Sequence, residues 1–248
     1  MLKPLVVGYD GTPKSLAATR WAAACADREH RLLRIVHVPG WPTPQPRTGR
    51  GVLRSVSRIH SEAERILEPI DAELSATWPA LVTEPMVVVG NVVPVLLREA
   101  VGAWLLVLGA GATATQLAAH AECPVVAVPR LVNGAAPVVV GVDGRPHSDA
   151  ALGFAFQYAA TTAAGLVAIR TPDSPATAAI SRHRADHPGV KVVTRTVDTA
   201  GDALVAASNR AGLLVIGSRG GAAAHGPLNR SVTQAVLHRA RCPVAVVR

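Results

Sequence analysis

Aromatic residues are scarce in this 248-residue chain, where Phe, Trp and Tyr together make up 3%. So few rings leave little for stacking on bases, and no run of Lys or Arg marks a helix that would track phosphates, which argues against a nucleic-acid partner. Charged residues are also few, 17% against 49% hydrophobic, a balance too apolar for a disordered chain. Long hydrophobic runs are missing. Bursts such as 103-AWLLVLGA-110 and 123-CPVVAVP-129 fall short of the ~18 unbroken apolar residues of a membrane span. The N-terminal MLKPLVVGYDG runs straight into a strand-like burst, so neither a signal peptide nor a membrane partner is expected. Cys25, Cys123 and Cys242 are an odd number for a disulfide framework and too scattered for a zinc site. They read as buried structural thiols in a reducing, cytoplasmic setting.

Glutamate is absent from the second half of the chain. The formal charge of +8 divides into +2 over residues 1–132 and +6 over residues 133–248. A local surplus of this kind fits a small anion better than a polyanion spread over the whole surface.

Self-similarity decides the domain count. Segment 5-LVVGYDGTPKSLAA-18 returns as 138-VVVGVDGRPHSDAA-151, 104-WLLVLGA-110 as 212-GLLVIGS-218, and 122-ECPVVAVP-129 as 241-RCPVAVVR-248. Two tandem copies follow, 1–132 and 133–248, joined by a short linker, 130-RLVNGAAP-137. The offset between copies is 133 at Asp10/Asp143, 108 at Gly109/Gly217 and 119 at Cys123/Cys242. The second copy is thus 25 residues shorter before its fourth strand and 11 longer after it.

Continuous Val/Leu/Ile bursts alternate with stretches of helical spacing, the pattern of an α/β fold whose parallel sheet is covered on both faces. In the first copy the strands read near 4–9, 31–38, 82–89, 104–109 and 124–129, with helices near 13–29, 51–77, 91–101 and 113–120. The second copy reads as strands near 137–142, 165–170, 190–197, 212–217 and 243–247, with a shortened second helix near 174–186. The stretch 39-PGWPTPQPRTGRG-51 reads as a mobile loop.

Ligands of such sheets bind beyond the C-terminal strand ends. Two second-copy segments lie there: Val142-Asp143-Gly144 after strand one, and 217-GSRGGAAAHGPLNRSV-232 after strand four. Glycines let this backbone turn and approach a ligand. Asn229, Arg230 and Ser231 then open a helix whose free N–H groups suit a phosphate. In the first copy, 109-GAGATATQ-116 passes directly into the last helix.

Both copies resemble the universal stress protein domain, a Rossmann-like, nucleotide-binding-type fold of five parallel strands, and the resemblance spans nearly the whole chain. Nucleotide-binding members carry G-x2-G-x9-G-[S/T]. Here Gly217, Gly220 and Ser231 keep the spacing, with Arg230 in place of the third glycine. Carried over by position, the resemblance implies Asp143 and Ile169 at adenine, Gly217 and Gly220 by the ribose and phosphates, and Ser231 at the phosphates, with Val142, Ser218, Arg219 and Asn229 counted in the same nucleotide-binding set. Arg230 either intrudes where backbone should approach phosphate or donates a charge-assisted hydrogen bond to it. The ligand implied is ATP or a related adenine nucleotide, alone or with Mg²⁺. The first copy, without the loop, would be a degenerate partner that binds no ATP. The family also pairs its domains through their fifth strands, which implies an internal pseudo-dimer here and allows a homodimer of whole chains.

No Walker lysine follows the glycines and no acidic cluster is placed for Mg²⁺, so the nucleotide is expected to regulate rather than to be consumed quickly. No catalytic residue is assigned, and at most slow hydrolysis is expected. The alternative is a stress-response interaction module acting through protein partners without nucleotide. Plainer readings stand beside several of these residues. Asp10-Gly11 and Asp143-Gly144 also suit ordinary turns, and Ser15 and Ser148 suit helix caps. Arg219 and His225 are either anion contacts or solvated loop residues. His183 and His187, lacking a third ligand, read as surface histidines rather than metal ligands. Glu62, Glu64, Arg65 and Glu68 read as the solvated face of a long helix.

Overall fold

The computed structural model describes residues 2–39, 49–132, 136–218 and 232–248. In chain order the first copy contributes β1 (Leu5–Gly8), α1 (Pro13–Arg28), β2 (Leu33–His37), α2 (Gly49–Thr77), β3 (Thr83–Val87), α3 (Val92–Ala100), β4 (Leu105–Gly109), α4 (Ala112–His120) and β5 (Val125–Val128). The second contributes β6 (Val138–Gly141), α5 (Pro146–Thr161), β7 (Leu166–Arg170), α6 (Thr177–Asp186), β8 (Val192–Thr196), α7 (Ala200–Ala207), β9 (Leu213–Gly217), α8 (Val232–Arg239) and β10 (Val244–Val247). Each expected strand is present, trimmed by one or two residues at its ends. The shortened second helix is also present: α2 has 29 residues and α6 has 10, which accounts for most of the 25-residue deficit. Residues 49–51, expected as loop, already belong to α2. Most of the expected mobile loop, 40–48, lies outside the described residues, as do 133–135 of the linker.

All ten strands form one sheet in the order β3-β2-β1-β4-β5-β10-β9-β6-β7-β8. Every adjacent pair is parallel except β5 and β10, which run antiparallel with Val244 opposite Ala127 and Val246 opposite Val125. Period-two alternation divides the strand side chains between two apolar layers. Leu5, Val7, Leu33, Ile35, Val138, Val140, Leu213 and Val215 pack under α1, α2, α5 and α6. Val6, Val36, Leu106, Leu108, Val139, Ile169, Leu214 and Ile216 pack under α3, α4, α7 and α8. The first helix of each copy approaches the sheet through alanines four residues apart: Ala18, Ala22 and Ala26 on α1, and Ala151, Ala155 and Ala159 on α5, all buried. Among the described residues, no helix is long and apolar enough to cross a membrane.

Four of the eight aromatic residues pair across the junction of the copies. Trp21 of α1 stacks on Tyr158 of α5, with centroids 5.9 Å apart and planes 7° from parallel. Trp104, ahead of β4, packs at 6.3 Å on Phe154 of α5. Arg28 lies over the Tyr158 ring at 5.8 Å and Arg31 over the Trp104 ring at 4.5 Å. Burial pushes the Tyr158 hydroxyl up to about 12, so it stays neutral. The buried thiols follow the expectation: burial raises Cys25 and Cys242 to about 12 and Cys123 to about 11, which keeps them protonated and unreactive.

The two histidines expected at the surface sit instead against the core. His183 and His187 pack on the fully buried Phe156 ring at 5.7 and 5.5 Å, and His183 Nε2 lies 3.1 Å from Asp149 Oδ1. They tie α6 to α5, a contact set by an i, i+4 face that looks polar in sequence. Among the described residues, no group of three His, Cys, Asp or Glu side chains is placed to hold a metal ion. Glu64, Arg65 and Glu68 are exposed as expected, and the Glu62 side chain lies outside the described residues.

Removing a ring at the seam should unfold the chain more readily than removing a solvated side chain. Trp21→Ala is expected to cost about 3–5 kcal/mol in urea denaturation, and Trp21→Phe, which keeps a ring on Tyr158, less than half of that.

Candidate functional site

In each copy the first and fourth strands lie side by side at the centre of their half-sheet: β1 beside β4, and β6 beside β9. Successive helices leave them to opposite faces, which opens a crevice beyond their C-terminal ends.

In the second copy, β6 runs into Val142, whose N–H donates to the Ile169 carbonyl at 2.9 Å. The Val142 side chain is buried beneath α5, whereas that of Ile169 points to the opposite layer. Gly144 then turns at φ +78°, and a Cβ there would meet the Pro175 ring at 2.6 Å, so this position needs glycine on two counts. Asp143 closes the turn. One carboxylate oxygen accepts the Arg145 N–H at 3.0 Å, and the other faces His147 Nε2 at 3.3 Å and Arg145 Nε at 3.9 Å. Partial burial works to raise the Asp143 carboxyl, but the bond from the Arg145 N–H, with the neighbouring Ser148 and His147 side chains adding, holds it below the ordinary carboxylate value.

Gly217 ends β9 directly against the start of α5. A Cβ there would stand 2.6 Å from the His147 carbonyl oxygen. Its counterpart Gly109 is similar, with a Cβ 3.0 Å from Lys14 and Ser15 backbone. Both glycines therefore serve helix-to-strand packing, whatever they offer a ligand. Ser218 follows. Its N–H donates to the Val247 carbonyl at 2.7 Å, while its hydroxyl is buried without a hydrogen-bond partner among the described residues. An unpaired buried hydroxyl costs about 1–3 kcal/mol. The structure thus brings Val142, Asp143, Gly217 and Ser218 to one crevice, with Ile169 present through its backbone. Arg219, Gly220, His225, Asn229, Arg230 and Ser231 lie outside the described residues.

The first copy has the same turn with different neighbours. Thr12 donates both its N–H (3.0 Å) and its hydroxyl (2.6 Å) to Asp10 Oδ1. Thr12, not Ser15, caps α1, accepting the Ser15 N–H, and Pro13 occupies the first turn as its fixed φ allows. Ser15 lies one turn in, buried, with its hydroxyl bonded to the Thr12 carbonyl at 3.0 Å. Arg145 occupies the cap position of α5 without a side-chain cap bond, and buried Ser148 donates to its carbonyl at 2.9 Å. The two serines expected as caps therefore brace the turns from inside.

A cavity of about 610 Å³ opens beside Asp10. Val36, Val38, Val92, Leu96 and Leu108 make its apolar wall; Asp10, Thr12, Lys14 and Ser15 make its polar one. Gly111, Ala112 and Thr113 bring the uncapped start of α4 to its mouth. Sequence reasoning missed this cavity because its walls come from four separate segments and it depends on no glycine-rich loop. Asp10 was the available signal.

Two outcomes follow. Gly217→Ala should lower stability by about 1–3 kcal/mol through overpacking against the His147 carbonyl, whereas Gly111→Ala, where a Cβ meets nothing within 4 Å, should change it by less than about 0.5 kcal/mol in the same urea titration. Because the folded Asp143 value is depressed, its stabilising effect is present above the unfolded value near 3.9 and is lost as pH falls through the lower folded value. Acid titration of Asp143→Asn beside the parent should therefore show a stability gap at neutral pH that closes below about pH 4.

The model of the universal stress protein family matches residues 1–129 and 171–248. Universal stress protein Rv2623 of Mycobacterium tuberculosis is 31% identical over 294 residues, covering 98% of this chain and 96% of that protein. Universal stress protein Rv2005c of the same organism is 30% identical over 290 residues, with the same coverage. The crystal structure of a universal stress protein from Archaeoglobus fulgidus superposes with a TM-score of 0.80 at 16% identity, over 99% of this chain and 98% of that one, which establishes a shared fold. By its sequence and the duplicated Rossmann-like unit that builds its sheet, the chain belongs to the universal stress protein family.

Proposed function

We propose that the chain is a regulatory adenine-nucleotide binder, with domain limits at 1–132 and 133–248, that holds ATP or a related nucleotide in its second copy. The observation that carries the proposal is the position of the glycine-serine segment: it leaves the C-terminal end of β9 at Gly217 and ends at Ser231, the residue before α8. A loop that joins a strand end to a helix start offers backbone N–H groups and a positive dipole end to phosphate. The Ser218 hydroxyl, without a partner among the described residues, and the Arg145 and His147 side chains around Asp143 are donors suited to the same anion. Where nucleotide binds, Mg²⁺ would come with its phosphates, and its chemistry would be charge neutralisation. Protein residues here bind and orient; no nucleophile or general base is assigned, which fits a ligand that signals. Three buried thiols suit a reducing cytoplasm.

The first-copy cavity favours a second reading, in which Asp10 and the apolar wall take a small ligand lacking a triphosphate.

Thermal shift with millimolar ATP and Mg²⁺ tests the proposal. At a hundredfold excess over Kd, saturation is expected to add about 2.7 kcal/mol and raise the Tm by about 5–10 °C, and Gly220→Val with Ser231→Ala should abolish the shift. A shift that survives the double variant moves the ligand to the first copy. Absence of any shift, together with no nucleotide in native mass spectra, leaves the interaction module.

A further inference from the structure

The positive surplus of the second copy has a structural focus that nucleotide binding does not use. Pro129 and Arg130 follow β5, Ala240 and Arg241 precede β10, and Asn209 follows α7. These five residues line a pocket of about 460 Å³ with no acidic side chain among them. Arg130 Nε donates to the Arg241 carbonyl at 3.0 Å, which anchors the base of its guanidinium beside the pocket that it lines. The Arg241 N–H donates to the Ser208 hydroxyl at 3.0 Å, and Asn209 Nδ2 donates to the Ala206 carbonyl at 3.1 Å. The backbone around both arginines is thus fixed by bonds that do not neutralise them. Arg239, close by in sequence, is by contrast paired with Asp202 at 3.2 Å.

Repeat symmetry makes the arrangement informative. The first-copy residue equivalent to Arg241 is Glu122, and Val101-Gly102 stands where the second copy has Asn209-Arg210. One end of the β5–β10 pair therefore carries an acid, and there Arg248 bonds to the Ala119 carbonyl. At the other end arginine meets arginine. Two guanidiniums sharing a pocket without a carboxylate repel, and an anion relieves that repulsion while accepting from both forks.

We propose that this seam pocket binds a phosphate-class oxyanion between Arg130 of the first copy and Arg241 of the second, with Asn209 beside it. Since β9 and β10 run parallel and Asn209 and Arg241 precede them, the pocket lies at the opposite strand ends from Gly217 and Ser218. It is a second anion site, independent of the nucleotide loop.

Inorganic phosphate titrated into the full chain by calorimetry, at ionic strength held constant with sodium chloride, tests it. Saturable binding of one phosphate per chain is expected. Arg130→Ala and Arg241→Ala should each weaken it at least about tenfold, while Arg184→Ala, an exposed arginine on α6, leaves it unchanged. Both arginines are exposed, and an unaltered Tm without phosphate confirms that the variants fold. Glycerol 3-phosphate in a parallel titration separates the sources: tighter inorganic phosphate identifies the free ion, and tighter glycerol 3-phosphate a monoester. No saturation by about 20 mM phosphate, affinity unchanged in Arg130→Ala combined with Arg241→Ala, or an equal loss of binding in Arg184→Ala would each overturn the proposal.

Discussion

The antiparallel pairing of β5 with β10 is the constraint on which the rest of the molecule depends. Both strands are fully buried, and each forms the inner edge of its own half-sheet. Left apart, each would present a row of unpaired N–H and C=O groups, the template that soluble proteins cover or block. Joined, they turn two five-stranded parallel sheets into one ten-stranded sheet. Because this junction is the single antiparallel one among otherwise parallel pairs, the C-terminal strand ends of the two copies point in opposite directions. The two crevices therefore open at opposite ends of the sheet, and a ligand in one does not contact a ligand in the other. Stacking of Trp21 on Tyr158 and of Trp104 on Phe154 reinforces the same junction from the helix side.

Duplication supplied two equivalent frames, and substitution within them made the sites unequal. Thr12 becomes Arg145 and Lys14 becomes His147. In the first copy the Asp10 carboxylate accepts the N–H and neutral hydroxyl of Thr12; in the second, Asp143 faces the Arg145 guanidinium and the His147 ring instead. The segment between the first and fourth strands contracted while the one after the fourth strand grew. The first copy thus keeps a roomy cavity beside Asp10, and the second has a longer segment after Gly217 and an Asp143 turn crowded by Pro175. The exchange of Glu122 for Arg241 belongs to the same divergence, acting at the seam.

Much of this was legible in the sequence, and for local reasons. Strands are legible because buried parallel strands are continuous apolar bursts whatever surrounds them, and the register of the repeat locates the shortened second helix of the second copy. The junction followed from family resemblance rather than from spacing. Other features depend on long-range neighbours that a linear pattern does not encode. Ser15 and Ser148 resemble caps because they stand near helix starts, yet Thr12 reaches the cap position first and the serines turn inward. His183 and His187 look solvent-facing until α6 is laid on Phe156. Gly217 and Gly109 look like ligand glycines, although their nearest obligation is to the backbone of the first helix. The low aromatic content was read only as an exclusion; the structure adds that four of the eight aromatic residues pair across the seam.

Photolabelling with 8-azido-ATP followed by peptide mapping tests the central claim most directly, that one frame has kept the nucleotide and the other has not. The account predicts a single labelled region, in peptides carrying Asp143 to Arg170 or the loop after Gly217, competed away by ATP. Label confined to peptides carrying Tyr9 to Val38 or Val92 to Thr113 would contradict it, because the first-copy cavity would then be the adenine site.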